Sequence, residues 1–62
     1  MLALRITGCS DPKFWYADKV GDIVPLIRES VIEYISREPE GYTNIVRKCD
    51  AEKIELKRNI DE

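Results

Sequence analysis

The chain has 62 residues, of which 44% are hydrophobic and 35% charged, and ten basic against twelve acidic residues give a net charge of −2. This length predicts a single domain, and the composition excludes both a disordered chain and a membrane-spanning one, since the longest apolar run covers only residues 23–27. Acidic and basic residues alternate without a basic run, which disfavours nonspecific binding to nucleic acid through its phosphates.

The first nine residues, MLALRITGC, predict a strand and not a secretory signal, because they carry Arg5 inside the apolar stretch and lack a basic leader and a cleavage site. We therefore expect a cytoplasmic protein. Cys9 and Cys49 are then expected to be reduced thiols, although one disulfide between them stays open. A zinc site needs four ligands, which two cysteines without any histidine do not supply, and we expect no metal or other cofactor.

The first predicted element is a strand with one buried face. Leu2, Leu4 and Ile6 alternate with small or polar residues, and Gly8 ends the pattern. Residues 9–21 contain Ser, Asp, Pro and Gly around three consecutive aromatic residues, which predicts a long irregular loop that leads to a second strand at residue 21 or 22.

Residues 22–38 are ambiguous. As a helix they would have Asp22 as N-cap, Pro25 in the first turn, one apolar stripe and Pro39 as the stop. As strands they would divide into 23–27 and 31–36, both rich in β-branched residues, joined by a glycine-free turn at 28–30. Periodicity alone slightly favours the helix.

The stretch REPEGY favours the strands instead. Pro39 suits the second position of a type I turn and Gly41 the left-handed position after it, so a hairpin is predicted between residues 31–37 and 42–48. After Cys49, Asp50 is predicted to cap a single helical turn, and residues 53–57 alternate as a last strand. The tail 59–62 is expected to be frayed.

Taken together, these elements resemble a family of small phage and prophage proteins with an SH3-like barrel. The resemblance covers residues 13–56 and rests on WYADKVG at 15–21, the apolar run 23–27 and DAE at 50–52. It implies an all-β, SH3-like barrel of about five strands in the cytoplasm of a bacterial host. It also implies an anti-defence context, since some very small phage proteins sequester a nucleotide signal or mask a host protein. Pro25 within a strand departs from the pattern.

The aromatic triplet is the main candidate site. Adjacent side chains on a strand point to opposite faces, so at least one ring is expected to face a partner, a ligand or another subunit. In the structural interpretation Trp15 or Tyr16 plugs one end of the barrel and the other rings shield the loop. In the functional interpretation Trp15 and Tyr16 stack on a base, Asp18 accepts from ribose, and Lys19 or Arg47 meets phosphate. Alternation places residues 42 and 44 on the strand face opposite Arg47. The predicted ligand-binding set is Phe14, Trp15, Tyr16, Asp18, Lys19, Tyr42, Asn44 and Arg47.

The sequence offers no catalytic motif. Asp50 and Glu52 form a carboxylate pair, but the chain has no histidine and no glycine-rich phosphate loop. We therefore predict a binding protein, most concretely one that sequesters a nucleotide-derived immune signal. The alternative is a protein-interaction module that masks a host protein, and a weaker one is a nucleic-acid accessory domain. A homodimer is expected because so short a chain has a limited core.

Overall fold

The computed structural model describes residues 1–56, and the predicted frayed tail at 59–62 lies outside this range. Within residues 1–56, six strands and one 3-10 turn follow one another. They are β1 (Leu2–Ile6), β2 (Ile23–Pro25), β3 (Arg28–Glu29), β4 (Glu33–Arg37), β5 (Thr43–Arg47), the 3-10 turn (Lys48–Asp50) and β6 (Ala51–Glu55).

The strands form two antiparallel three-stranded sheets, in the orders β2-β1-β6 and β3-β4-β5. Only two residues separate β2 from β3, so the chain passes directly from one sheet into the other. Ser36 Oγ in β4 reinforces this passage by donating to the carbonyl of Pro25, at 2.7 Å. Proline is tolerated there because β2 is an edge strand and Pro25 is its last residue.

The all-β prediction is confirmed. A long loop after β1, a second strand bent between both sheets and a 3-10 turn before the last strand give the connectivity of an SH3-like barrel. Counting β2 and β3 as one bent strand gives the five that were predicted. Among the described residues, no helix has the length and apolar character needed to cross a membrane.

The helical alternative for residues 22–38 is wrong, because long-range pairing with β1 and β5 overrides the local period. The turn within this segment also lies two residues later than predicted. Arg28 and Glu29 pair with Ile35 and Tyr34 of β4. The reversal follows at Ser30, whose Oγ accepts the N–H groups of residues 32 and 33 at 3.3 and 3.1 Å. A serine hydroxyl thus closes a turn that has no glycine.

The hairpin between β4 and β5 is confirmed. Gly41 N–H donates to the carbonyl of Glu38 at 2.8 Å, which closes the turn, and Gly41 has a φ of 107°. Arg37 and Thr43 are the first pair of the ladder. The turn chemistry of Pro39 and Gly41 therefore fixes the register of both strands.

The core lies between the two sheets and is small. Leu4 and Ile6 of β1 are fully buried, as predicted, but Leu2 is 46% exposed and Ala3 takes a buried position instead. Leu2 is the first residue of β1, and its side chain lines a surface groove described below. The clustered core residues are Leu4, Ile6, Tyr16, Val24, Tyr34, Val46 and Ala51.

The predicted capping role of Asp50 is wrong. The 3-10 turn ends at Asp50, its N-cap is Arg47, and no side chain caps it. Asp50 is instead buried, with 4% of its surface exposed, and its carboxylate receives hydrogen bonds from the loop between β1 and β2. Asp50, a short polar residue that precedes β6, is therefore a hydrogen-bond acceptor in the core.

Replacing Gly41 by alanine should lower the free energy of unfolding by about 1–2 kcal/mol, since an L side chain is strained at positive φ. Gly8→Ala is the matched control, because no atom lies within 4 Å of a Cβ at either glycine and the φ of Gly8 is not positive. Urea denaturation measures both. Equal losses at the two positions would contradict the turn assignment.

Candidate functional site

The three aromatic residues lie in the loop between β1 and β2 and form one cluster of rings. The centroids of Phe14 and Tyr16 are 5.4 Å apart, and Trp15 meets Tyr16 edge-on at 5.6 Å. Tyr16 is only 1% exposed and belongs to the core, whereas Phe14 and Trp15 are half-buried against it. The expectation that one ring plugs the barrel is met by Tyr16.

Two of the rings cover the open edge of β5. The indole Nε1–H of Trp15 donates to the carbonyl of Ile45 at 2.8 Å, and the hydroxyl of Tyr16 accepts the N–H of Arg47 at 3.2 Å. Because β5 is the outer strand of its sheet, these backbone groups face away from β4. The side chains of Trp15 and Tyr16 occupy the place of a further strand and protect the edge.

Asp50 holds this loop in position. Its Oδ2 accepts from the hydroxyl of Tyr16 at 2.7 Å and from both N–H and Oγ of Ser10, at 3.0 and 2.9 Å. Burial favours a raised pKa for Asp50, but these hydrogen bonds outweigh it and lower the pKa. Burial, followed by the hydrogen bond to Asp50, raises the pKa of Tyr16 well above its usual range. The pair is thus a neutral phenol that donates to a charged carboxylate.

The predicted ligand-binding residues do not converge on one pocket. Arg47 joins the aromatic cluster, its guanidinium carbon lying 5.5 Å from the ring centroid of Phe14. Lys19 instead lines a separate depression of about 510 Å³, together with Arg37. Asp18 is exposed beside it, with 3.9 Å between the carboxylate and the ammonium of Lys19.

The two predicted residues after the hairpin also lie apart from the rings. Tyr42 is 72% exposed next to the hairpin turn. The amide nitrogen of Asn44 donates to Glu38 at 2.6 Å. The structure therefore brings together Phe14, Trp15, Tyr16 and Arg47, and leaves Asp18, Lys19, Tyr42 and Asn44 outside the cluster.

An apolar groove of about 740 Å³ runs along the start of β1 and the segment that joins β2 to β3. Eight large hydrophobic side chains are exposed among the described residues, and four of them line this groove. These four are Met1, Leu2, Ile23 and Ile27, which are 75%, 46%, 49% and 47% exposed. Pro25, Leu26 and Leu56 complete the apolar wall, and Arg28 and Glu29 lie at one end.

Sequence reasoning missed this groove, although the signal was present. The run of apolar residues at 23–27, once assigned to a strand, has apolar side chains on both faces. Val24 enters the core, and Ile23 then has to remain outside. A short barrel buries only one face of each strand, so the second face of an all-apolar strand becomes a surface feature.

The acidic and sulfur-bearing side chains do not assemble into a metal site within residues 1–56, where no group of three or more His, Cys, Asp or Glu is placed to hold an ion. Both cysteines are free thiols, Cys9 half-buried and Cys49 exposed.

Comparisons of the chain with models of protein families, with curated proteins and with solved structures find no significant match. The resemblance to small phage proteins stays a prediction.

Replacing Tyr16 by phenylalanine should lower the free energy of unfolding by about 1–3 kcal/mol, because the change removes one donor from a buried carboxylate and leaves the N–H of Arg47 without its acceptor. Tyr42→Phe, at an exposed tyrosine, is the control and should stay within about 0.5 kcal/mol of the wild type. Urea denaturation compares the two. If both substitutions change the free energy of unfolding by the same amount, the buried hydroxyl of Tyr16 contributes nothing to stability.

The lowered pKa of Asp50 makes folding sensitive to acid. Its folded pKa lies below the unfolded value of about 3.9, so its contribution to stability is present above that pH and is lost as the pH falls through the folded pKa. Asp50→Asn should therefore flatten the decline of the free energy of unfolding between about pH 5 and pH 2. Asp18→Asn, which removes a carboxylate 86% exposed, is the control for the loss of a surface charge. Parallel curves for Asp50→Asn and wild type would contradict the assignment.

Proposed function

We propose that the protein is a non-catalytic interaction domain that binds another polypeptide chain in its apolar groove. The observation that carries this proposal is the gathering of four of the eight exposed large hydrophobic side chains in one concave surface. Contiguous apolar patches on small soluble domains mark interaction sites. Full burial of one such side chain contributes about 1.5–3 kcal/mol to the free energy of binding. Covering the exposed parts of all four would therefore add several favourable contributions.

The chemistry of the groove favours a polypeptide as its ligand. Its lining contains aliphatic residues, a proline and two oppositely charged side chains, Arg28 and Glu29. Among the described residues that line it, none offers an aromatic ring on which a base could stack. Glu29 also accepts from the ammonium groups of Lys48 and Lys53, at 2.8 and 2.6 Å. These hydrogen bonds lower the pKa of Glu29 to about 2, so it stays a carboxylate. Aliphatic side chains of a partner fit such a lining.

Sequestration of a nucleotide receives less support from the geometry. The ring of Tyr16 is enclosed in the core, and the indole N–H of Trp15 is bonded to Ile45. Lys19 lies in a different depression from Arg47. The masking of another protein, in a bacterial host if the phage resemblance holds, is the form of binding that these positions favour.

A second copy of the chain is the first partner to consider. Domains of about 60 residues bury only about 60% of the surface that their unfolded chains expose. Here the clustered core contains seven residues, one of them an alanine. In a symmetric dimer, Ile23 and Ile27 of both protomers would be covered, which would extend the core of each protomer. The cytoplasmic homodimer predicted from the sequence is therefore retained as part of the proposal.

Sedimentation equilibrium at micromolar concentration should give about twice the chain mass for the wild type. Ile27→Asp places a charge in the groove and should weaken self-association by at least about tenfold, because an unpaired carboxylate would be buried at the interface. Val31→Asp is the matched control, since Val31 is 92% exposed and lies outside the groove. Thermal melts check that both variants fold.

A wild type that stays monomeric at high concentration would contradict self-association and leave a different chain as the partner. Photo-cross-linking groups at positions 27 and 31, in cells that produce the protein, then decide the matter. A specific adduct from position 27 and none from position 31 supports the groove as the binding surface. Equal labelling from both positions contradicts it.

A further inference from the structure

Among residues 1–56, Arg47 is a cation that lies over an aromatic ring and forms no ion pair. Its guanidinium lies over the ring of Phe14, at 5.5 Å from the centroid. The register of the hairpin places Glu33 directly opposite Arg47, yet the two side chains form no ion pair within 4.0 Å. Among residues 1–56, the guanidinium forms neither an ion pair nor a hydrogen bond with a side chain. Its donors are therefore available to a ligand.

The base under this cation is rigid. Phe14 packs against Tyr16, whose hydroxyl is fixed between Asp50 and the backbone of Arg47 itself. The indole N–H of Trp15 donates a hydrogen bond to the carbonyl of Ile45, which lies on the same strand as Arg47. The ring under the guanidinium is thus in place before any ligand arrives, which lowers the conformational entropy lost on binding.

A depression of about 380 Å³ adjoins the cation and is lined by Ile32, Glu33, Ile45, Arg47, Lys48 and Cys49. Ile32 is 75% exposed at the turn before β4 and offers an apolar contact. The ammonium of Lys48 is engaged by Glu29 at 2.8 Å and lies 5.4 Å from the ring of Tyr34. Arg47 is therefore the cation in this lining that a ligand can pair with.

We propose that this face, separate from the apolar groove, binds an extended peptide segment in which an aspartate or glutamate adjoins an aliphatic residue. The carboxylate pairs with the guanidinium of Arg47, and the aliphatic side chain lies against Ile32 and Ile45. A phosphate group carries about −1.5 to −2 charges and calls for more positive charge than one arginine beside the carboxylate of Glu33 supplies. Charge therefore favours a single carboxylate over a phosphate group.

Selection of a displayed library of random nonapeptides on the purified full chain tests the proposal. Peptides that bind should be enriched in Asp or Glu next to Leu, Ile or Val. Arg47→Gln should weaken the binding of the enriched peptides by about tenfold or more. Replacing the aspartate of the peptide by asparagine should have a similar effect, because each change removes a charged hydrogen bond. Arg37→Gln is the control, since Arg37 lies outside this depression and its guanidinium hydrogen-bonds the carbonyl of Gly41. Thermal melts confirm that both variants fold.

The remaining outcomes overturn the proposal. A selection that enriches no acidic residue, or one whose peptides bind Arg47→Gln as well as the wild type, removes the site. Peptides lost with Ile27→Asp but kept with Arg47→Gln belong to the apolar groove and leave the proposed function standing without this second site. Inorganic phosphate or adenosine monophosphate that binds more tightly than the best acidic peptide, and is lost with Arg47→Gln, assigns the face to phosphate ligands instead.

Discussion

The buried carboxylate of Asp50 is the contact on which the rest of the structure depends. It accepts three hydrogen bonds from the loop between β1 and β2, one from the hydroxyl of Tyr16 and two from Ser10. Asp50 itself stands at the junction of the 3-10 turn and β6, and its carbonyl accepts the N–H groups of Thr7 and Gly8. A single residue thus fastens the long loop to the junction of the 3-10 turn and β6. No buried side-chain nitrogen or oxygen in the described part lacks a partner.

This fastening explains why three aromatic residues are adjacent in the sequence. Tyr16 reaches inward to Asp50, Trp15 turns sideways to the edge of β5, and Phe14 remains at the surface under Arg47. The loop is irregular, so its successive side chains take three directions and not the two of a strand. Most of the triplet is structural, and its outer ring becomes the base of a second binding face. The apolar groove draws on different residues, from β1 and the bent strand.

Local chemistry made part of this predictable. The alternation of Leu4 and Ile6 and the turn residues Pro39 and Gly41 act over a few positions, and both elements formed as expected. The helical stripe in residues 22–38 is equally local, but pairing with distant strands outweighed it. The role of Asp50 depends on a tyrosine 34 positions away, so it does not follow from spacing in the sequence. The apolar run 23–27 indicates one wall of the groove, but the other wall, which includes Met1, depends on the pairing of distant strands. Lys19 and Arg47, predicted as alternative phosphate contacts, line separate depressions.

A double-mutant cycle between Tyr16→Phe and Asp50→Ala tests most directly whether this contact holds the loop to the barrel. Urea unfolding, followed by the fluorescence of Trp15, the only tryptophan in the chain, measures the free energy of unfolding of the wild type and the three variants. We expect a coupling energy of about 1–2 kcal/mol between the two positions, with the double variant losing less than the sum of the single losses. Strict additivity of the two losses would contradict it.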